Sequence, residues 1–350
     1  MNSRLLGSLT PREFLRRHWQ KRPLFVRRAL PGALQLLDER SLSALARRDD
    51  VESRIVERRA NRWDTAHGPF KGKIRSKRKN WTLLVSGVNL HLATADELLR
   101  RFEFVPQARL DDVMVSFASP GGGVGPHVDS YDVFLVQGPG RRCWKISPPG
   151  RSKVQTFIAE PGDLLYLPPG WRHDGVALEP CFTYSIGFRA PRGAELGAAF
   201  LDWLHERGLP DAAYRDPGLS PVKNTASIPG EMVVFATQLL RRIRWSRADA
   251  QRFLGEYLTL PNAHLVFRPA PAPPARGRSV VRLDPKTRLL YRGNRFFMNG
   301  DTVTVTGRDA RWLRSLADQR RSSGIPAGRA RVARLVRGWQ KLGYLRLERP

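Results

Sequence analysis

Cysteine is nearly missing from this chain of 350 residues: only Cys143 and Cys181 occur. That excludes a disulfide scaffold and a cysteine zinc site, and both thiols fall in stretches that read as strands, where a small buried thiol is ordinary. Long apolar runs are missing as well. None reaches the ~18 residues of a spanning helix, and the first residues lack the charged-then-apolar pattern of a secretory signal. The expectation is a soluble, cytoplasmic protein that does not enter a membrane. Acidic residues are in deficit, with 32 Asp+Glu against 60 Lys+Arg and a formal net charge of +28. Such a field draws polyanions, so contact with RNA or the ribosome through a basic surface is one reading. Arginine far exceeds lysine, and a compositional bias of the source would give the same balance.

What is present concentrates in residues 121–146. Gly121-Gly-Gly-Val-Gly-Pro delivers His127 and Asp129, an H-x-D pair, onto the start of a β-branched and aromatic run that reads as one strand. Residues two apart on a strand share a face, so imidazole and carboxylate can grip one ion from the same side. His173 completes a 2-His-1-carboxylate set. It follows a turn at Pro161-Gly162, a strand over 163–167 and the bend Pro168-Pro169-Gly170, which is expected to present the ring. Such a set leaves positions open on non-haem Fe(II) for O2 and a co-substrate, with zinc as the alternative metal.

An Fe(II) oxygenase needs an electron source, and 2-oxoglutarate is the usual small one. Its distal carboxylate then needs a fixed cation, for which arginine offers a bidentate fork. Arg142 shares strand parity with Trp144 and Ile146 and is assigned this role ahead of Arg141 and Lys145. Ser185, with Thr183 and Tyr184 beside it, is the candidate to hydrogen-bond the co-substrate.

Along the chain, Thr10 and Pro11 open a helix over 11–22 that docks through Phe14, Leu15 and Trp19. Strands are expected at 23–28, 51–58 and 81–88, a short helix at 41–46, and a basic loop at 71–80. Thr94 and Glu97 read as a capping box for a helix over 95–102, with Leu98, Leu99 and Phe102 inward. Strands at 111–119, with Val113, Val115 and Phe117 on one face, and at 142–146, 163–167 and 181–189 follow. His18, His67, His205 and His264 read as packed or bystander residues. The pattern is mainly β, a double-stranded β-helix (jelly roll) of the cupin type. After Pro191 come helices at 194–204, 231–243 and 245–258, then a Pro-rich linker at 269–277. Strands at 280–283, 289–292 and 295–298, helices at 309–320 and 329–342, and a closing strand at 344–347 suggest a small winged-helix-like domain. The expected division is a catalytic segment 1–207, a helical segment 208–268 and a winged-helix-like segment 269–350.

The stretch from Pro120 to Phe134, Gly140-Arg-Arg-Cys-Trp, Glu160-Pro-Gly-Asp-Leu-Leu-Tyr-Leu-Pro-Pro-Gly and Tyr184-Ser-Ile-Gly-Phe-Arg-Ala-Pro resemble the bacterial ribosomal oxygenases of the JmjC type. His18-Trp-Gln-Lys-Arg-Pro, His67-Gly-Pro-Phe and Trp81-Thr-Leu-Leu-Val extend the resemblance over most of 11–207. Best-known members hydroxylate an arginine at C3 in large-subunit ribosomal protein L-sixteen. The resemblance implies Fe(II), 2-oxoglutarate and O2, iron ligands His127, Asp129 and His173, co-substrate anchoring at Arg142, a homodimer formed through the central helices, and a ribosomal protein as substrate. A target arginine is expected near Tyr131 and Asp132, with Asp132 or Asp111 gripping the guanidinium by a charge-assisted fork. The rival readings are an oxygenase acting on histidine or nucleic acid, and a non-catalytic metal-binding cupin.

Overall fold

The first helix starts where its capping residues put it. The computed structural model describes residues 5–30, 34–60, 62–72, 74, 79–150, 153–269, 280–325 and 328–348. The Thr10 hydroxyl accepts from the Glu13 amide, and the Glu13 carboxylate accepts from the Thr10 amide. Pro11 opens α1 (Pro11–Arg17), where its missing N–H costs nothing. α1 is shorter than the 11–22 expected, because Gln20 takes a left-handed φ of 57°.

Twelve strands follow: β1 (Leu24–Val26), β2 (Ser53–Arg59), β3 (Arg62–His67), β4 (Trp81–Val85), β5 (Leu110–Ala118), β6 (His127–Val128), β7 (Val133–Gln137), β8 (Arg142–Ser147), β9 (Gln155–Ala159), β10 (Leu164–Leu167), β11 (Arg172–Ala177) and β12 (Cys181–Phe188), with α2 (Glu39–Leu45) and α3 (Ala93–Arg100) among them. They form a sheet of eight, β1-β10-β7-β12-β5-β4-β2-β3, and a sheet of four, β6-β11-β8-β9. This is the expected double-stranded β-helix.

β7 shows how the layers close. Val133 and Leu135 enter the cluster between the sheets with Trp144, Ile146, Leu165 and Leu167. Phe134 and Val136 point the other way, into a cluster with Phe14, Phe102, Tyr166 and Phe188. Because the large sheet is covered on both faces, β7 reads Val-Phe-Leu-Val without alternation and is buried throughout. Val113, Val115 and Phe117 do share one face, and it joins this outer cluster. The Phe134 ring lies 4.8 to 5.7 Å from those of Phe102, Tyr166, Phe14 and Phe188. Phe134→Ala is therefore expected to cost about 3–5 kcal/mol of stability. A denaturant midpoint that does not move would contradict it.

The Thr94 capping box does not form. α3 starts at Ala93 with Leu92 as its cap and no side-chain cap. The Ala95 and Asp96 amides instead donate to the Leu92 carbonyl, which continues a short 3-10 turn over Val88–Leu90. Leu98, Leu99 and Phe102 are buried as expected.

The rest comprises α4 (Gly193–His205), α5 (Gly230–Leu240), α6 (Arg247–Thr259), β13 (Val280–Leu283), β14 (Leu289–Arg292), β15 (Arg295–Met298), β16 (Asp301–Thr304), α7 (Gly307–Gln319), β17 (Arg321–Ser323), α8 (Ala330–Lys341) and β18 (Leu345–Glu348). The chain divides into two compact units. One is Met1–Ala190 with Pro261–Thr287 and Asp318–Pro350; the other is Pro191–Leu260 with Arg288–Ala317. The first contains the sheet β17-β13-β18 and the second the sheet β14-β15-β16. Sequence order hides this, since β13 and β17 pair across the whole β14–β16 insertion. In the second unit, Glu256 of α6 accepts from the Trp203 indole and the Thr302 hydroxyl, each at 2.6 Å. Most of the Pro-rich linker, and residues 73 and 75–78 of the basic loop, lie outside the described residues. Among the described residues no helix is long and apolar enough to cross a membrane.

Candidate metal centre

His127 and His173 meet as a cross-strand pair. β6 and β11 run antiparallel with these two residues directly opposite, and their ring centroids are 4.1 Å apart. The strand expected to carry His127 onward through Asp132 stops at Val128, and Asp129 lies just beyond its end. Its carbonyl is fixed by the Gly170 amide at 2.9 Å. The Asp129 carboxylate then faces both rings, 3.9 Å from His127 Nε2 and 3.6 Å from His173 Nε2. One ligand atom from each of the three residues falls within 4.8 Å of the others, the one such group among the described residues. His173 lies on β11, which begins just after the Pro-Pro-Gly bend.

The rings are oriented by their other nitrogens. His127 Nδ1 donates to the Gly125 carbonyl at 2.9 Å, and His173 Nδ1 to that of Trp171 at 3.1 Å. A carbonyl only accepts, so each Nδ1 carries the proton and each Nε2 lone pair is free for a metal. Burial, and then the neighbouring His127 ring, hold His173 below the usual imidazole pKa, favouring the neutral form that ligates. Three such donors on one side suit a first-row divalent ion with open positions.

Two glycines bring the walls close. A Cβ on Gly175 would lie 2.4 Å from the Trp144 ring, which stands 6.1 Å from that of His173. Gly125 has φ +81°, and its Cβ would lie 2.8 Å from Trp63 Nε1. The sequence reading places no element at Trp63, which lies on the otherwise exposed β3 between the strand expected at 51–58 and the basic loop at 71–80. Its one signal was the alternation after Ala60-Asn61. Trp63 packs on the turn whose carbonyl orients His127, so Trp63→Ala is expected to weaken metal binding about tenfold, with Trp63→Phe retaining most of the affinity. Equal affinities in a metal titration would remove Trp63 from the site.

Arg142 lies 3% exposed on β8, with its Nε and Nη2 buried and without hydrogen-bond partners among the described residues. Its guanidinium is 5.6 Å from the Trp144 ring. A buried cation without an anion is costly, so the site fits a carboxylate-bearing small molecule. Ser185, 8% exposed, is paired with Leu135 and Met114 and shares the inner face with Leu135.

Tyr131 is 40% exposed between β6 and β7. Burial, then the Asp129 and Asp112 carboxylates, push its phenol pKa up to about 12. Asp132 does not fit the substrate-binding role expected for it, because it is 0% exposed. Its carboxylate accepts from the Tyr166 hydroxyl at 2.6 Å and the Gln20 side chain at 3.0 Å, and Arg109 lies at 3.4 Å. Asp111, the alternative, pairs with Arg189 at 3.0 Å.

A JmjC domain model matches residues 97–156 and 150–196, and a ROXA-like winged helix model matches 242–346. The ribosomal protein uL16 3-hydroxylase of Escherichia coli (strain K12) is 37% identical over 325 residues, 85% of this chain and 86% of that protein. A probable ribosomal oxygenase of Haemophilus influenzae is 35% identical over 209 residues, 54% of this chain and 52% of that one. The solved structure of YcfD, a ribosomal oxygenase from Escherichia coli in complex with cobalt and 2-oxoglutarate, has a TM-score of 0.82 at 32% identity, covering 98% of this chain and 99% of that one. Because the likeness runs almost end to end and takes in both the sheets that carry the triad and the winged helix, the chain belongs to the JmjC ribosomal oxygenases.

Proposed function

We propose that this chain is an Fe(II)- and 2-oxoglutarate-dependent hydroxylase that acts on C3 of an arginine in ribosomal protein uL16. The observation that carries the reading is the 37% identity to a uL16 3-hydroxylase along 86% of that protein's length. In this reading His127, Asp129 and His173 hold the iron, and Arg142 and Ser185 hold and orient 2-oxoglutarate. When bound, iron supplies activation of O2 coupled to conversion of 2-oxoglutarate into succinate and CO2. The Trp144 ring and the covered inner face keep bulk water from the Arg142 contact. Tyr131 offers the target arginine a ring, 40% exposed, at the rim, and an aromatic face attracts a guanidinium. The test is mass spectrometry of uL16 after incubation with enzyme, Fe(II), 2-oxoglutarate and O2. A product heavier by one oxygen at an arginine is expected; its absence, with succinate formed on a different protein, rejects the target.

The same reading makes the protein cytoplasmic and a homodimer. α5 supports the dimer: none of its residues is buried, and Met232, Val233, Val234 and Leu240 are 41% to 65% exposed. So much exposed apolar surface on one helix is the mark of a partner, here a second copy. Val233→Glu with Val234→Glu is expected to give monomers in light scattering at unchanged secondary structure.

A further inference from the structure

Three arginines stand abreast on one sheet. Arg282 of β13 is directly opposite Arg321 of β17 on one side and Arg346 of β18 on the other. All three are exposed, while Val281, Leu283 and Leu345, which point to the other face, are buried. Neighbouring strands lie ~4.8 Å apart, so the three side chains leave the sheet as one row about 10 Å long.

Like charges directly opposite on a sheet repel. The chain offsets this only in part. Arg282 Nε is 3.1 Å from a Glu348 oxygen and Arg346 Nη2 is 3.2 Å from one of Asp284, whereas Arg321 has no carboxylate partner among the described residues. The Arg282–Glu348 pair, exposed on both sides, is weak enough to open for an incoming anion, while Arg346, held through one nitrogen to the buried Asp284, presents its other N–H groups. A row of this kind suits a ligand carrying regularly spaced negative charge. The sequences of the strands, Val-Val-Arg-Leu, Arg-Ser-Ser and Leu-Arg-Leu-Glu, hold no aromatic ring on which an unpaired base could stack. Guanidinium groups without stacking platforms read a phosphate backbone, and on RNA they do so on duplex.

We propose that the outer face of β17-β13-β18 docks on the sugar–phosphate backbone of double-stranded RNA, with Arg321, Arg282 and Arg346 taking neighbouring phosphates. The choice of RNA over other polyanions rests on the ribosomal-protein reading above, and the net charge of +28 supplies long-range attraction.

The experiment measures binding of the full chain, without metal or 2-oxoglutarate, to a labelled RNA duplex of about 16 base pairs across a salt series. A steep fall of affinity with salt is expected for the unaltered protein. Replacing Arg282, Arg321 and Arg346 together with serine is expected to flatten the slope of log affinity against log salt by about 2 to 3. Arg321→Ser alone, which gives up no ion pair, should flatten it by about 1 and serves if the triple variant fails to fold. Removing the same charge from α8, as Arg334→Gln, Arg337→Gln and Lys341→Gln, should change it less. The proposal is overturned by no duplex binding, by an unchanged slope in the sheet variants, by an equal loss in the α8 variant, or by tighter binding of single-stranded RNA, DNA duplex or polyglutamate. Hydroxylation of isolated uL16 is expected to be unaffected by Arg321→Ser, so failure of the docking surface and failure of the hydroxylase reading are separate results.

Discussion

His127→Ala and Asp129→Ala are each expected to lower succinate formation more than about 100-fold, since even changes to the groups that orient metal ligands cost ~10–100-fold. The fold should survive. The His127 side chain is 39% exposed on a strand of two residues, and Asp129 lies beyond its end. Neither supports the clusters that hold the sheets together. His173→Ala is a different experiment, because that side chain is 4% exposed and its loss opens space beside Trp144. The informative pair of measurements is therefore metal affinity and melting temperature for the first two variants. Lost affinity with unchanged melting assigns the residues to the metal; retained turnover with iron present takes the triad out of the reaction.

Arg142→Ala is expected to raise the KM for 2-oxoglutarate on the order of 10²–10³-fold, the size of losing one partner from a buried charge pair. Arg142→Lys should recover little, because an ammonium keeps the charge and loses the planar fork. An opposite effect on stability accompanies this. In the free protein the guanidinium carries buried N–H groups without partners among the described residues. Arg142→Met should therefore melt no lower than the unaltered chain, while losing the stabilisation that 2-oxoglutarate confers. If 2-oxoglutarate protects Arg142→Met as well as it protects the unaltered protein, the anchor lies elsewhere.

The parts of the site legible in the sequence are those fixed by short-range rules. Strand parity puts Arg142 on the side of Trp144 and Ile146, and all three are buried. The Gly-rich turn and the two histidines are found because their spacing is unusual. What escaped depends on partners far away in the chain. The sequence cannot show that the run after His127 breaks and that β7 crosses to the other sheet, since Val-Asp-Ser-Tyr-Asp-Val-Phe has no residue that forbids a strand. Asp132 looks like a surface carboxylate until Tyr166, Gln20 and Arg109 are seen around it. Trp63 was missed for the same reason: only folding brings β3 onto the turn before His127. Thr94 and Glu97 have capping spacing, yet the preceding 3-10 turn already supplies the helix start.

The buried Asp132 also sets a limit on shortening the protein. Gln20 donates to Asp132 from its side chain and to the Tyr166 hydroxyl from its amide, at 3.0 and 2.8 Å. Only Ser130 and Tyr131 separate Asp132 from Asp129, so a stretch at the front of the chain is tied to the loop that supplies the carboxylate ligand. A minimal catalytic fragment that begins after Pro23 would keep every strand of the barrel and lose one of the ties on that loop. For protein engineering, residues 10–22 belong to the active fragment although they contribute nothing that touches the metal.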